Sequence, residues 1–178
     1  LFGFEESYGC LIGTHARDKD AIVATMALCE AAAYYKTQGK TLWDAMIEMY
    51  EQFGYYKDDI KAVTMKGIEG LQKIQDIMNS LRQNPPAEFA GHKVVAVRDY
   101  KADTIKNLET GEVTPTGLPN SNVLYYELTN DAWVCVRPSG TEPKVKFYYG
   151  VKGTSLADAD EKSAVMGKAV LDMVDSMM

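Results

Sequence analysis

The chain has 178 residues, of which 46% are hydrophobic and 25% charged, a composition typical of a globular protein with enough apolar side chains for a core. Its formal net charge of −6 argues against a general nucleic-acid-binding protein, because such proteins need a positive surface. No apolar stretch is long enough to span a membrane, so we expect neither a nucleic acid nor a membrane as a partner.

Two helices are predicted in the first third of the chain. Residues 18–38 contain many good helix formers and no glycine or proline, and apolar side chains cover most of the helix circumference. We therefore expect much of this helix to be buried and expect Gly39 to end it. Thr41 and Asp44 form a predicted capping box at the start of a second helix, which should end at Gly54.

The middle of the chain mixes strand and helix signals. Residues 60–65 alternate weakly, as in a strand, and residues 68–81 have the spacing of an amphipathic helix that two prolines stop. Residues 92–100 predict a second strand. Glycine, proline and asparagine punctuate residues 101–121, so we expect a long irregular loop there, which in a compact domain suggests function or mobility.

A hairpin, another strand and a final helix complete the pattern. Residues 123–128 and 132–136 predict two strands around a turn at Asn130–Asp131, and residues 145–149 predict a further strand. Ser155 begins a predicted capping box, and the helix after it should run to the C-terminus. This last helix should bury five apolar side chains: Leu156, Met166, Val170, Met173 and Met177. The second half of the chain therefore predicts an α+β fold.

The segment Arg137–Lys144, R-P-S-G-T-E-P-K, has side chains that suit a phosphate group. Arg137 can donate two parallel charge-assisted hydrogen bonds, and the hydroxyls of Ser139 and Thr141 can meet further oxygens. Gly140 lets the backbone approach an anion closely. Lysines in and after the segment would add to a local positive patch. The alternative is a hairpin loop with incidental polar residues.

The segment Gly3–Gly9, G-F-E-E-S-Y-G, could bind a sugar. Glu5 and Ser7 are two residues apart, and a carboxylate with a hydroxyl can bind neighbouring sugar hydroxyls. The alternative is an acidic loop with a capping serine. A nucleophilic role for Ser7 is disfavoured, because a nucleophile elbow needs G-x-S-x-G and Glu5 replaces its first glycine.

Histidines and cysteines give no sign of a metal site. Only two histidines are present, His15 and His92, and neither lies in a metal-binding spacing. The three cysteines are far apart, which argues against a disulfide framework and favours a reducing, cytoplasmic location. We therefore predict no metal ligand in this chain.

These motifs resemble those of the α-D-phosphohexomutases, the phosphoglucomutase/phosphomannomutase superfamily. The segments Arg137–Lys144 and Gly3–Gly9 resemble that family's phosphate-binding and sugar-binding loops, and Thr14–Asp20 resembles an element that precedes a helix. The resemblance covers nearly the whole chain, with the motifs in the family's order. It implies two sets of ligand-binding residues: Glu5, Ser7 and Lys19 for the substrate, and Arg137, Ser139, Gly140 and Thr141 for its non-transferring phosphate.

The resemblance also implies a domain organisation. Enzymes of this family have four domains, the first with a phosphorylated serine loop and the second with an acidic magnesium loop, and neither motif occurs here. The chain is therefore expected to be a C-terminal fragment. Residues 1–56 would be the end of the third domain, an α/β domain that is mainly helical here. Residues 57–178 would be the fourth domain, an α+β fold like that of the TATA-binding protein, with a hinge near residues 54–60.

The activity implied is the interconversion of hexose 1-phosphate and hexose 6-phosphate through a phosphoserine enzyme. Mg²⁺ and a sugar bisphosphate would be cofactors of the full-length protein, whereas this fragment would hold no catalytic residue, bind no cofactor and be inactive alone. Its expected partners are the phosphosugar and the N-terminal domains of the same protein. Two alternatives stay open, a phosphopentomutase of the same superfamily and a stand-alone phosphosugar-binding module.

Overall fold

A β-hairpin and two helices form the N-terminal part of the chain. The computed structural model describes residues 2–5, 8–65, 67–140 and 142–177, and the chain divides into unit 1, Leu1–Phe53, and unit 2, Gly54–Met178. In unit 1, strand β1 (Phe2–Phe4) pairs antiparallel with β2 (Cys10–Ile12), and helices α1 (Ala21–Thr37) and α2 (Leu42–Phe53) follow.

Local hydrogen bonds fix the ends of both helices. The carboxylate of Asp20 caps α1 by accepting hydrogen bonds from two backbone N–H groups of the first turn. Gly39 ends α1 with a left-handed φ of 72°, which confirms the predicted stop. The predicted capping box of α2 is also confirmed, because the Asp44 N–H donates to Thr41 Oγ1 at 3.2 Å and the Thr41 N–H donates to Asp44 Oδ2 at 2.8 Å.

The burial predicted for α1 is wrong for this structure. No residue of α1 is buried, although every one of them is described. Ile22 is 75% exposed and Met26 66% exposed. The reason is that, among the described residues of unit 1, the main packing partners of this apolar helix are β2 and α2, and neither is large enough to cover it.

Unit 2 is built on an antiparallel sheet with two helices. In chain order its elements are β3 (Tyr55–Thr64), α3 (Gly67–Gln83), β4 (Glu88–Phe89), β5 (His92–Asp99), β6 (Thr104–Asn107), β7 (Val113–Thr114), β8 (Leu124–Leu128), β9 (Trp133–Pro138), β10 (Lys144–Gly153) and α4 (Leu156–Ser176). The strand order is β3-β10-β9-β8-β5-β6-β7, and β4 pairs with β5. This is the predicted α+β architecture, with none of the described helices long and apolar enough to cross a bilayer.

Alternation along the central strands places the core on one face of the sheet. Val145, Phe147 and Tyr149 of β10 are fully buried, whereas Lys146 and Tyr148, which lie between them, are half-buried. Two helices supply the other side of the core, α3 with Ile74, Ile77, Met78 and Leu81, and α4 with Met166, Val170 and Val174. Met173 and Met177 only border this core, and Leu156 is half-buried, so the predicted burial of α4 holds for two of its five residues.

The opposite face of the sheet, which we call the open face, carries side chains of β8, β9 and β10 that include Tyr125, Glu127, Trp133, Cys135, Arg137, Lys146 and Tyr148. The rings of Tyr125 and Trp133 stack with centroids 5.5 Å apart, and Arg98 lies over the Tyr125 ring. Burial raises the pKa of the Cys135 thiol to about 11, so this thiol is neutral and a poor nucleophile at neutral pH.

Two regions are more regular than predicted. The strand expected at residues 60–65 begins at Tyr55, because β3 pairs with β10 along its whole length, from Tyr55 opposite Gly153 to Thr64 opposite Lys144. Of residues 54–60, near which we predict a hinge, all but Gly54 therefore lie in strand β3. Within residues 101–121 the structure contains β6 and β7, whose short sequences give almost no periodic signal.

The tight turn between β8 and β9 lies where the sequence predicts it. Asn130 and Asp131 have φ values of 64° and 57°, the left-handed conformation that these two residue types tolerate best among those with a side chain. At the start of α4 the Asp158 N–H donates to Ser155 Oγ at 3.2 Å, which confirms the Ser155 half of the predicted capping box, while Asp158 Oδ2 accepts from the Thr154 N–H at 2.7 Å. The turn and the helix cap both depend on neighbouring residues, so the sequence alone is enough to place them.

Candidate functional site

The loop between β9 and β10 is held at both ends by backbone hydrogen bonds. The Ser139 N–H donates to the Lys144 carbonyl at 2.8 Å and closes the hairpin. The Glu142 N–H donates to Ser139 Oγ at 3.2 Å. From outside the hairpin, the Met65 N–H donates to the Pro143 carbonyl at 2.8 Å. The segment Arg137–Lys144 thus has a defined shape, although Thr141 lies outside the described residues.

Arg137 stands at the end of β9, on the open face. Its neighbour Val136 is fully buried, so strand alternation turns the Arg137 side chain away from the core, and it is exposed. The Arg137 guanidinium forms no hydrogen bond or ion pair with the part of the chain that the structure describes. It is therefore available to an anion.

Lys146 lies directly opposite Arg137 across the hairpin. The register pairs the two residues, and directly opposite side chains in a sheet have Cβ atoms about 5 Å apart. From the sequence we expect Lys146 only as part of a local positive patch. Its pairing follows from counting outward from the loop, since Pro138 opposite Val145 places Arg137 opposite Lys146. Two cationic residues therefore lie side by side at this end of the open face, and Lys146 Nζ lies over the Tyr148 ring, 5.8 Å from its centroid.

Lys144, the lysine within the segment, forms an ion pair inside the loop. Lys144 Nζ lies 2.5 Å from Glu142 Oε2, so these two charges neutralise each other within the loop. Gly140 is exposed, and a Cβ added to it would meet no atom within 4 Å. The loop therefore offers an open backbone at Gly140, with the Ser139 side chain half-buried beside it.

The predicted sugar-binding segment forms the loop of the β1–β2 hairpin. The Glu5 N–H donates to the Gly9 carbonyl at 2.9 Å, and the Tyr8 N–H donates to the Glu5 carbonyl at 3.2 Å. Ser7 lies outside the described residues. A small cavity of about 220 Å³ adjoins the hairpin, with Glu5, Arg17 and Lys19 among its lining residues. The charged side chains in its lining and its size suit one small hydrophilic group.

The structure brings two of the predicted substrate-binding residues together. Lys19 Nζ lies 3.3 Å from each carboxylate oxygen of Glu5, and 3.7 Å from Asp18 Oδ1. The hydrogen bond to Glu5 is the largest cause that raises the pKa of Lys19 above its ordinary value, so Lys19 stays protonated at neutral pH. Fourteen residues separate Lys19 from Glu5, and nothing in the sequence pattern predicts their pairing.

The described residues do not provide a metal site. Nowhere in residues 2–5, 8–65, 67–140 and 142–177 do three or more histidine, cysteine, aspartate or glutamate side chains group in a way that could hold a metal ion.

Comparisons with known proteins cover both units. The family model of the phosphoglucomutase/phosphomannomutase α/β/α domain III matches residues 1–53, and that of the phosphoglucomutase/phosphomannomutase C-terminal domain matches residues 77–167. The chain is 38% identical over 166 residues to a phosphoglucomutase of Staphylococcus aureus strain bovine RF122 / ET3-1, and 37% identical over 166 residues to that of strain MSSA476. Each match covers 93% of this chain and 30% of the relative, so the chain spans about a third of the length of these relatives.

A solved structure has a similar fold. The crystal structure of parafusin, a phosphoglucomutase from Paramecium in its open form, matches 97% of this chain with a TM-score of 0.58. The match covers 29% of the parafusin chain at 17% sequence identity, so it supports the fold alone.

Proposed function

Because the chain belongs to the phosphoglucomutase/phosphomannomutase family, we propose that it recognises the sugar and the non-transferring phosphate of a hexose phosphate. The full-length protein would interconvert hexose 1-phosphate and hexose 6-phosphate through a phosphoserine enzyme. The relatives named above are phosphoglucomutases, which favours a hexose over the pentose alternative. In this proposal residues 1–56 belong to the third domain of such an enzyme and residues 57–178 to the fourth.

The observation that carries the proposal is the paired position of Arg137 and Lys146 beside an open loop. A phosphate monoester is a dianion at neutral pH, and two cations from neighbouring strands match its charge. The planar guanidinium of Arg137 can bind two phosphate oxygens at once. The exposed backbone of Gly140 and the hydroxyls of Ser139 and Thr141 would meet the remaining oxygens.

The hairpin loop of unit 1 would bind the sugar. In our proposal Glu5 and Ser7 bind sugar hydroxyl groups, and Lys19 lies close to the phosphosugar while it holds the Glu5 carboxylate. A carboxylate accepts hydrogen bonds only, and a serine hydroxyl both donates and accepts, so the two can bind neighbouring hydroxyls of one sugar ring. The loop would orient the ring and leave the reacting groups free.

The chemical step would use groups outside this chain. Magnesium would neutralise charge where the phosphoryl group is transferred, and the described residues do not fit it, so we assign no step to a metal here. A sugar bisphosphate would be the other cofactor of the full-length protein. The binding residues named above would hold the substrate in position, which lowers the activation barrier because the entropy cost of orienting the reacting groups is already met on binding.

Three free cysteines are in keeping with the cytoplasmic location that we propose.

Replacing Arg137 with methionine in the full-length protein tests the phosphate site. A hydrogen bond to a charged group contributes about 1.5–3 kcal/mol, so the apparent affinity for glucose 6-phosphate should fall about ten- to a hundredfold. Lys73→Met is the matched control, because Lys73 is an exposed cation on α3. Steady-state mutase assays and titration calorimetry measure the apparent affinity of each variant for glucose 6-phosphate. An Arg137→Met protein with wild-type affinity would rule out the proposed phosphate site.

A further inference from the structure

We infer that Gly9 is a positioning residue of the sugar-binding loop, because its missing side chain leaves the space through which Lys19 reaches Glu5. This inference rests on the proposed function, since it assigns a task to a residue that touches neither sugar nor phosphate. It concerns unit 1 alone and uses only residues that the structure describes.

The backbone places Lys19 beside Gly9. Phe4 and Cys10 are the last paired residues of the hairpin, so Gly9 is the final residue of its loop. The Asp20 N–H donates to the Cys10 carbonyl at 3.1 Å. This hydrogen bond holds the start of α1 against β2 and puts Lys19, one residue earlier, next to Gly9, one residue before Cys10.

The space at Gly9 is filled by the Lys19 stem. A Cβ added to Gly9 would overlap Lys19 Cδ and lie 2.9 Å from Cγ and 3.5 Å from Cβ, so its three nearest atoms all belong to Lys19. At Gly3, in the same hairpin, an added Cβ would meet nothing within 4 Å. Gly9 has no left-handed φ, whereas Gly13 has one of 79°. Gly9 is therefore needed for space and not for backbone conformation.

The route past Gly9 leads to the Glu5 carboxylate. Lys19 Nζ lies 3.3 Å from each carboxylate oxygen, so the ammonium group contacts both oxygens of Glu5 at once. Any side chain at position 9 would push the Lys19 stem out of this path. The carboxylate of Glu5 would then lose the cation that orients it, and the sugar would meet a less ordered acceptor.

A double-mutant cycle on Gly9 and Lys19 in the full-length protein tests the inference. The variants are Gly9→Ala, Lys19→Ala and the two combined, measured with glucose 1-phosphate as substrate. For Gly9→Ala we expect the KM to rise about two- to fivefold, the range for loss of an exposed ion pair, with kcat little changed. In the Lys19→Ala background Gly9→Ala should change the KM by less than about 1.5-fold, because the obstructing atoms are gone.

A spectroscopic measurement separates this role from a general structural defect. With ¹³C at the lysine Cε positions, the Lys19 resonance should titrate at a lower pH in Gly9→Ala than in the wild type, because the hydrogen bond that raises the pKa of Lys19 is broken. The melting temperatures of the wild type and the double variant should agree within about 2 °C, since the double variant has no clash.

The inference is overturned if Gly9→Ala leaves the Lys19 titration unchanged, or if it raises the KM equally in both backgrounds. Glu5→Gln distinguishes these failures from failure of the proposed function. If Glu5→Gln raises the KM and Gly9→Ala does not, the sugar site stands and the role of Gly9 is refuted. If neither changes the KM, the proposal that Glu5 binds the sugar fails.

Discussion

A glycine far from the phosphate loop in sequence should control that loop. Gly70 lies in the first turn of α3, and a Cβ added there would overlap the carbonyl group of Met65 and lie 3.0 Å from its Cβ. The N–H of the same Met65 donates to the Pro143 carbonyl at 2.8 Å, the hydrogen bond that anchors the β9–β10 loop from outside. Replacing Gly70 with alanine must therefore displace Met65 and strain this anchor.

Three terms set the size of the effect. Forcing an added methyl group into a filled site costs about 1–3 kcal/mol, and the Met65–Pro143 hydrogen bond contributes about 1 kcal/mol. Alanine in place of glycine inside a helix returns about 1 kcal/mol. The net loss of unfolding free energy for Gly70→Ala is thus about 1–3 kcal/mol. Since the displaced atoms hold the loop, affinity for glucose 6-phosphate should also fall several-fold.

Urea unfolding followed by circular dichroism measures the free energy of unfolding, and titration calorimetry measures the affinity for glucose 6-phosphate. The control is Lys73→Ala, an exposed position in the same helix where we expect a change within about 0.5 kcal/mol and unchanged affinity. If Gly70→Ala were as stable as the wild type, or more stable through its better helix propensity, the close approach of Met65 to α3 would be refuted. If stability fell and affinity did not, the anchor would have no part in shaping the loop.

Three further predictions concern unit 2. The hydrogen bond from Lys162 is the largest cause that lowers the pKa of Asp158 from 3.8 to about 2, so the Asp158 carboxylate stabilises α4 fully above pH 4 and stops doing so as the pH falls towards 2. Asp158→Asn should therefore make the melting temperature less dependent on pH over that range, and a pH dependence as steep as in the wild type would contradict this role of Asp158. Tyr126→Phe removes a buried hydroxyl that donates to the Leu81 carbonyl of α3 at 3.1 Å, so the free energy of unfolding in urea should fall by about 1 kcal/mol. An unchanged free energy of unfolding would mean that this hydrogen bond makes no net contribution to stability. A Cβ at Gly150 would overlap the Trp133 indole. Gly150→Ala should therefore change the near-ultraviolet circular dichroism spectrum and destabilise unit 2 by about 1–3 kcal/mol. A spectrum identical to the wild type would show that the indole does not lie against Gly150.

Features set by neighbouring residues could be predicted from the sequence. The capping box at Thr41 and Asp44 and the turn at Asn130–Asp131 depend on interactions within four residues, so their signals are complete in the sequence. The full length of β3 could not be predicted, because Tyr55 joins the strand only through pairing with Gly153. The exposure of α1 has a similar origin, since burial depends on what packs around a helix and its composition only shows what it prefers.

The candidate site divides in the same way. Arg137 could be found from its motif, and strand alternation explains why its side chain points away from the core. The neutralisation of Lys144 by Glu142 depends on loop geometry, which residue types alone do not specify. The pairing of Lys19 with Glu5 needs the hydrogen bond between Asp20 and Cys10, which joins the start of α1 to β2. No pattern of neighbouring residues in the sequence indicates this contact.

The alternation of side chains in β9 limits how this protein can change by insertion. One extra residue between Trp133 and Val136 would exchange the two sides of the strand, sending the Arg137 guanidinium into hydrocarbon and a valine into water. Insertions in β9 that preserve anion binding must therefore add residues in pairs. An insertion between Pro138 and Lys144 would keep this alternation but would change the loop that carries Ser139, Gly140 and Thr141, so natural variation in length should avoid both the strand and the loop.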